Sequence, residues 1–250
     1  MAKPSGLDAV FGIHAVEALF ENGEAPRELW VQEGPAETRL AAVIEKARGS
    51  GARLMPRPRE VLDEIAQGGA HQGIIAFCKP LMAHSEEELM LRLNGWPHRE
   101  PPLLLILDGV TDVHNLGACL RSADAAGVHG VILPKDKSAP LNAVVRKVAC
   151  GAAENVPVYQ VVNLARAMAR LKEAGVWLSG TAGEAEVSLF EIDLTGPCAL
   201  VMGAEGKGLR RLTREACDAL IKLPMAGSVS SLNVSVATGI CLFEAVRQRR

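Results

Sequence analysis

A chain of 250 residues with 48% apolar and 22% charged side chains is long enough for one large globular domain or two small ones. Its longest uninterrupted aliphatic run, Leu103 to Leu107, is far too short to cross a bilayer, and the N-terminal MAKPSGLDAV lacks the apolar core of a secretion signal, so no membrane association and a cytoplasmic location are expected. The formal net charge of -2 excludes a global pull on a polyanion, which leaves any nucleic-acid contact to local clusters such as Arg53, Arg57 and Arg59, Arg146 with Lys147, or Arg210, Arg211 and Arg214.

From Phe11 to about Lys79 the pattern alternates: helical HAVEALFEN, strand-like ELWVQ, helical ETRLAAVIEKA, strand-like ARLMP, helical REVLDEIAQ and strand-like GIIAFC. This predicts a small α/β domain over residues 1–83. The polar stretch from His84 to Pro102, with its glutamate run and Pro97, Pro101 and Pro102, reads as a linker over 84–102. The region 103–250 alternates again, with strand candidates LLLILD (103–108), GVILP (130–134), VPVYQVV (156–162), VWLSG (176–180), CALVM (198–202) and ALIKLP (219–224). Their continuous apolar character predicts a parallel sheet covered on both faces, with helices at LGACLRSADAAG, NLARAMARLKEAG and from about Ser230 to the end.

Six cysteines are scattered through the chain without a CxxC pair, and most lie in apolar segments, so free, buried thiols are expected rather than zinc ligands or disulfides. His114 and His129 have no second histidine at ligand spacing, so no metal is expected.

Ligands of open α/β sheets bind beside the carboxyl ends of the strands. Three loops there are rich in glycine and small polar residues: GVTDVHN after LLLILD, GAEGKGL after CALVM, and MAGSVSSLN after LIKLP. In the first, Asn115 is placed to cap the following helix, and Arg121 lies off its apolar stripe, within reach of Asp124 at i+3. In the second, Glu205 stands between glycines that let backbone come close to a ligand, or it simply favours a helix N-terminus. Its glycine order fits neither GxGxxG nor a P-loop. In the third, Ser230 or Ser231 offers a helix cap. GxSxG is absent and no histidine follows His129, which disfavours a serine hydrolase.

Taken together, NLGACLRSADAAG, MGAEGKGL and LPMAGSVSSLNVSVA resemble, in order and spacing, the three signature motifs of the SpoU (TrmH) branch of the SPOUT RNA methyltransferases. FGIHAVEALFE and AHQGIIAFCKP are similar to the N-terminal domain of bacterial 23S rRNA guanosine 2′-O-methyltransferases, so the likeness covers nearly the whole chain. The resemblance implies an L30e-like, RNA-binding α/β domain followed by a SPOUT catalytic domain with a C-terminal trefoil knot, which periodicity alone does not suggest. It further implies S-adenosylmethionine bent in a pocket made by the second and third loops, with Gly203, Leu223 and Leu232 as its contacts. The catalytic set it implies is Asn115, Arg121, Glu205, Ser231 and Asn233. The implied partners are a guanosine in the peptidyl-transferase region of 23S rRNA and a second copy of the chain, paired through the catalytic domains.

Methyl transfer from a sulfonium to a ribose oxygen needs in-line alignment and removal of the hydroxyl proton. With a pKa above about 12, Arg121 is an awkward base. It is expected instead to bind an RNA phosphate and stabilise developing oxyanion charge, while Asn115, Glu205, Ser231 and Asn233 fix the geometry. A nicotinamide enzyme is the rival that the alternating pattern suggests, but it needs GxGxxG after the first strand, where this chain has GVTDVHN.

Overall fold

The computed structural model describes residues 3–21, 23, 25–35, 37–97 and 99–250; Asn22, at the end of the first predicted helix, and His98, in the predicted linker, lie outside them. The chain divides into two units, one formed by residues 1–81 and 141–155 and the other by 82–140 and 156–250, each with its own sheet.

The first unit contains β1 (Asp8–Phe11), α1 (Ile13–Glu21), β2 (Glu28–Gln32), α2 (Thr38–Gly49), β3 (Arg53–Arg57), α3 (Arg59–Ala66) and β4 (Ile74–Cys78). Its sheet runs β1-β4-β2-β3, antiparallel except between β2 and β3. Successive strand side chains point to opposite faces, so neighbouring residues enter different cores. Val10, Leu29, Val31, Ile74 and Ala76 pack with residues of α1 and α2. Ala9, Trp30, Ile75 and Phe77 pack with Leu62 of α3 on the other face, where the Trp30 and Phe77 rings meet edge-on at 4.7 Å. Strand β1 escapes a periodicity reading because its four residues are too few to display alternation. Of the arginines expected to touch RNA, Arg57 lies 4.8 Å over the Trp30 ring, and Arg53 and Arg59 stand 4.0 and 3.8 Å from Glu28 and Asp63.

The second unit begins with α4 (Glu86–Asn94), β5 (Leu103–Asp108), α5 (Val113–Ala125) and β6 (Gly130–Pro134). The next two helices, α6 (Ala143–Ala149) and α7 (Ala152–Asn155), group with the first unit, where buried Arg146 pairs with buried Glu154 and donates to the Lys79 carbonyl at 3.1 Å. Then come β7 (Val158–Val161), α8 (Leu164–Glu173), β8 (Trp177–Thr181), β9 (Val187–Ser188), a 3₁₀ turn (Leu189–Glu191), β10 (Cys198–Gly203), α9 (Arg211–Ala216), β11 (Ala219–Lys222) and α10 (Val234–Arg249). The sheet order is β7-β6-β5-β10-β8-β11-β9, with every neighbouring pair parallel. Every residue of β5 and β6 is buried, as a parallel sheet covered on both faces requires. The order reverses at β5, which has β6 on one side and β10 on the other, and this reversal opens a crevice at the strands' carboxyl ends.

The stretch 84–102, expected as a linker, differs from that expectation. It holds α4, started by a capping box in which Ser85 Oγ accepts from the Glu88 N–H at 3.2 Å and Glu88 accepts from the Ser85 N–H at 2.6 Å. Leu89 and Met90 of this helix join the core beneath β5, β7 and β8. All six cysteines are free; Cys78, Cys119, Cys198 and Cys241 are buried, while Cys150 is exposed, contrary to the expected burial. Burial pushes the Cys119 thiol up to about 11 and those of Cys217 and Cys241 up to about 12. No helix among the described residues is long and apolar enough to cross a membrane.

Helices α4 and α8 are joined by Glu86, which is 4% exposed and accepts from Arg166 at 3.0 Å and Arg170 at 2.7 Å. Burial raises this carboxyl, but the hydrogen bonds and charges of the two arginines outweigh it and hold the group below the ordinary carboxylate range. A carboxyl depressed by folding contributes stability above its unfolded value of about 4.3, and that contribution is lost as pH falls through the folded value. Glu86→Gln is therefore expected to cost about 1–3 kcal/mol at pH 7, nearer the lower figure because both guanidinium groups are partly exposed. Urea melts at pH 7 and pH 3 check this: the gap between wild type and variant should narrow at pH 3, and a gap of equal size at both would show that the ion pairs contribute nothing.

Candidate active site

Three loops leave the carboxyl ends of β5, β10 and β11, and each is shaped by its own local chemistry. After β5, Asp112 caps α5 by accepting from the N–H groups of His114 at 2.7 Å and Asn115 at 3.0 Å, hydrogen bonds that hold its carboxyl below the ordinary range. Asn115, expected to be the cap, thus lies inside the first turn with its side chain available for other contacts.

After β10 the chain folds back on itself. Ala204 and Gly208 exchange N–H···O bonds of 3.2 and 2.9 Å, and Gly206 and Gly208 adopt φ of +71° and +64°, which glycine reaches without strain. A Cβ on Gly203 would collide with the backbone of Gly208 and Leu209, so this tight fold-back needs glycine there. It places Glu205 at the exposed tip of the loop.

The third loop ends at Asn233, which takes the capping role considered for Ser230 or Ser231. Its Oδ1 accepts from the Ser235 N–H at 2.9 Å and from the Ser235 hydroxyl at 2.6 Å. With that oxygen committed to the cap, its Nδ2 faces the other loops as a donor. It donates to Asn115 Oδ1 at 2.9 Å and to Glu205 Oε1, and the Val234 N–H approaches the same carboxylate oxygen at 3.4 Å. Glu205 therefore sits at the N-terminus of α10, where the helix dipole favours a negative charge, rather than at that of α9.

Two adjoining clefts flank this junction. The larger, about 760 Å³, is lined by Gly203, Glu205, Leu223, Ser231, Leu232 and Asn233 among others. The smaller, about 490 Å³, is lined by Asp108, Asn115, Lys137, Glu205, Lys207 and Arg210 among others. Arg121 is exposed on α5 and lines neither. Leu209, Leu223, Leu232, Ala237 and glycine backbone give the larger cleft an aliphatic stretch of wall beside the charged Glu184, Glu205, Lys207, Arg214 and Lys222, and its volume lies within the range of about 300–1,000 Å³ usual for small-molecule sites. Such walls fit an adenosyl group held by backbone polar groups and aliphatic contact. Among the described residues, no group of three His, Cys, Asp or Glu is placed to hold a metal ion.

Sequence reasoning missed a buried anchor beneath the site. Asp108, the last residue of β5, is fully buried; it accepts from the Arg210 N–H at 2.9 Å and from the Arg210 guanidinium. The contact ties the far end of the Glu205 loop to the strand that leads into α5. A single charge closing the apolar run LLLILD was the one signal for it.

These features define an α/β protein with a parallel sheet whose carboxyl-end loops join a cofactor-sized cleft to a second, smaller one. Residues 102–243 match the SpoU rRNA Methylase family, and residues 9–83 match the RNA 2′-O ribose methyltransferase substrate binding family. Over 247 residues the chain is 59% identical to the 23S rRNA (guanosine-2′-O-)-methyltransferase RlmB of Shewanella oneidensis, a match covering 97% of this chain and 98% of that one. It is 57% identical over 243 residues to the Escherichia coli protein of the same name, covering 97% and 99%. The SpoU methyltransferase AviRb of Streptomyces viridochromogenes, solved in complex with AdoMet, shares the fold with a TM-score of 0.78 at 25% identity, covering 98% of this chain and 91% of that one. The chain belongs to the SpoU rRNA methylase family.

Proposed function

We propose that this chain uses S-adenosylmethionine to methylate the ribose 2′-hydroxyl of a guanosine in 23S rRNA, a modification made during ribosome biogenesis. The observation that carries this reading is the hydrogen-bonded chain Asn115–Asn233–Glu205 at the junction of the two clefts. Near-full-length similarity to proteins named RlmB, and to a SpoU enzyme solved with AdoMet, supports the choice of substrate and cofactor.

When bound, S-adenosylmethionine supplies a methyl carbon activated by its sulfonium. Gly203, Leu223 and Leu232 would hold it in the larger cleft, largely through backbone and aliphatic contact. Asn115 and Asn233 align the acceptor oxygen for in-line displacement, and Ser231 lies on the same cleft wall. Glu205, the carboxylate that lines both clefts, would take the hydroxyl proton in this reading.

Residues 1–83 form the RNA-binding, L30e-like domain in this reading and 103–250 the SPOUT catalytic domain. Helix α10 follows β11 yet packs on α5 and β10, so the chain must recross the strand ends; we read this passage as the trefoil knot. Val236, Ile240 and Phe243 expose an apolar stripe at helical spacing on α10, which supports a homodimer paired through the catalytic domains. Arg121, outside both clefts of its own chain, would then act on RNA at a site shared between two copies. An rRNA substrate supports the cytoplasm as its location.

Mapping ribose methylation in 23S rRNA from cells with and without the gene tests the function. The expected result is loss of one guanosine mark, restored by the intact enzyme but not by Asn233→Ala. A map unaltered by the deletion would overturn the proposal.

A further inference from the structure

The smaller cleft carries its own set of charges, of which only Glu205 and Lys207 are shared with the larger one. Three carboxylates stand on its lining, but each is engaged from within the protein. Asp108 is held by the Arg210 backbone and guanidinium, Asp112 by the N–H groups that it caps, and Glu205 by Asn233 and the Val234 N–H. Lys137 and Lys207 line the same cleft, and among the described residues neither is ion-paired. Lys137 and Lys207 are thus the cations of this lining without a carboxylate partner among the described residues, unlike Arg210, which pairs with Asp108.

Lys137 is also held in place by its backbone. It adopts φ +59°, a conformation rarely taken by residues with a Cβ, in the loop that follows β6. That loop is tied to the one after β5 by the Ala139 N–H, which donates to the Val110 carbonyl at 2.8 Å. A Cβ added to Gly109 would stand 3.9 Å from the Lys137 carbonyl and 3.7 Å from the Ala204 Cβ, so three loops meet around this residue. The cleft they enclose shares Asn115 and Glu205 with the catalytic junction.

We propose that this cleft receives the acceptor nucleotide of the RNA, with Lys137, assisted by Lys207, binding the phosphate next to the methylated ribose. The inference rests on the methyl-acceptor reading above and adds the residues that recognise the substrate's backbone. A phosphate contact positions the nucleotide without reading its base, so Lys137 sets where the ribose lies rather than which base is chosen.

The test is titration of the full-length protein with unmodified 23S rRNA over a range of salt concentrations, together with titration by S-adenosylmethionine. Lys137→Gly suits the positive φ and removes the ammonium, whereas Lys137→Arg keeps a cation. The glycine variant is expected to bind RNA about tenfold more weakly and to lower the slope of log affinity against log salt by about 0.7 to 0.9. Affinity for S-adenosylmethionine should stay within about twofold of wild type, because Lys137 does not line the larger cleft. The arginine variant should restore both RNA affinity and slope. An unchanged slope in the glycine variant, a loss that arginine does not rescue, or a parallel loss of S-adenosylmethionine binding would each overturn the assignment. Because binding is read without turnover, a wild-type protein that binds this RNA but never methylates it would refute the proposed function while the role of Lys137 was still decided.

Discussion

Asn233→Ser is expected to leave the fold nearly as stable as wild type while slowing single-turnover methyl transfer by about 10²- to 10³-fold, the range seen when one aligned donor is removed from a reacting centre. Serine caps a helix about as well as asparagine, so the start of α10 should survive. Serine lacks the second arm of the amide, however, and one hydroxyl cannot replace a group that accepts from Ser235 while donating to Asn115 and Glu205. Asn233→Ala removes both roles and should cost about 1 kcal/mol of stability in addition. Asn233→Asp keeps the capping acceptor but sets a second carboxylate against Glu205, and it should be as slow as the serine variant. Single-turnover rates at saturating RNA and S-adenosylmethionine, paired with thermal melts, separate these effects. A serine variant that reacts at the wild-type rate would remove Asn233 from the reacting centre.

Gly203→Ala should be damaging for a different reason. Its added Cβ meets backbone atoms of Gly208 and Leu209, which cannot rotate away as a side chain would. The loop must shift, at about 1–3 kcal/mol of overpacking. Because Gly203 and Leu209 also line the larger cleft, S-adenosylmethionine binding should weaken more than tenfold. Gly206→Ala is the control: open space surrounds its Cβ position, and only its φ of +71° opposes a side chain, at about 1 kcal/mol. Calorimetric titration and urea melts should rank the two variants in that order. Equal cofactor affinity for both would show that close approach at Gly203 does not shape the cleft.

The contrast between these two glycines also indicates what a sequence can disclose. The loop's glycine content is visible in GAEGKGL, but which glycine is irreplaceable depends on where the loop returns. Strands β5, β6 and β10 are legible because a buried parallel strand is a continuous apolar run, whereas the two residues of β9 carry no pattern. Helix α4 was hidden by its glutamates, although Ser85 and Glu88 already formed a capping signature. Asn115, Glu205 and Asn233 were legible as parts of motifs; that one amide joins them follows from loops after strands that are not consecutive. Asp108 and Arg210 are 102 positions apart, and no local pattern links a strand-ending carboxylate to so distant an arginine.

The chain passes between its two units at 81/82, 140/141 and 155/156, since α6 and α7 leave the second sheet to complete the first unit. Val145, Ala149 and Ala152 of that excursion are buried, α6 packs against β1, and Arg146 clasps the Lys79 carbonyl. The N-terminal part is consequently not a transplantable module: severed after residue 83, it would forfeit a strap encoded some sixty residues downstream and bare the apolar flank that the strap covers. Grafting it onto another enzyme would require carrying 141–155 along, which ties the inheritance of the two halves together.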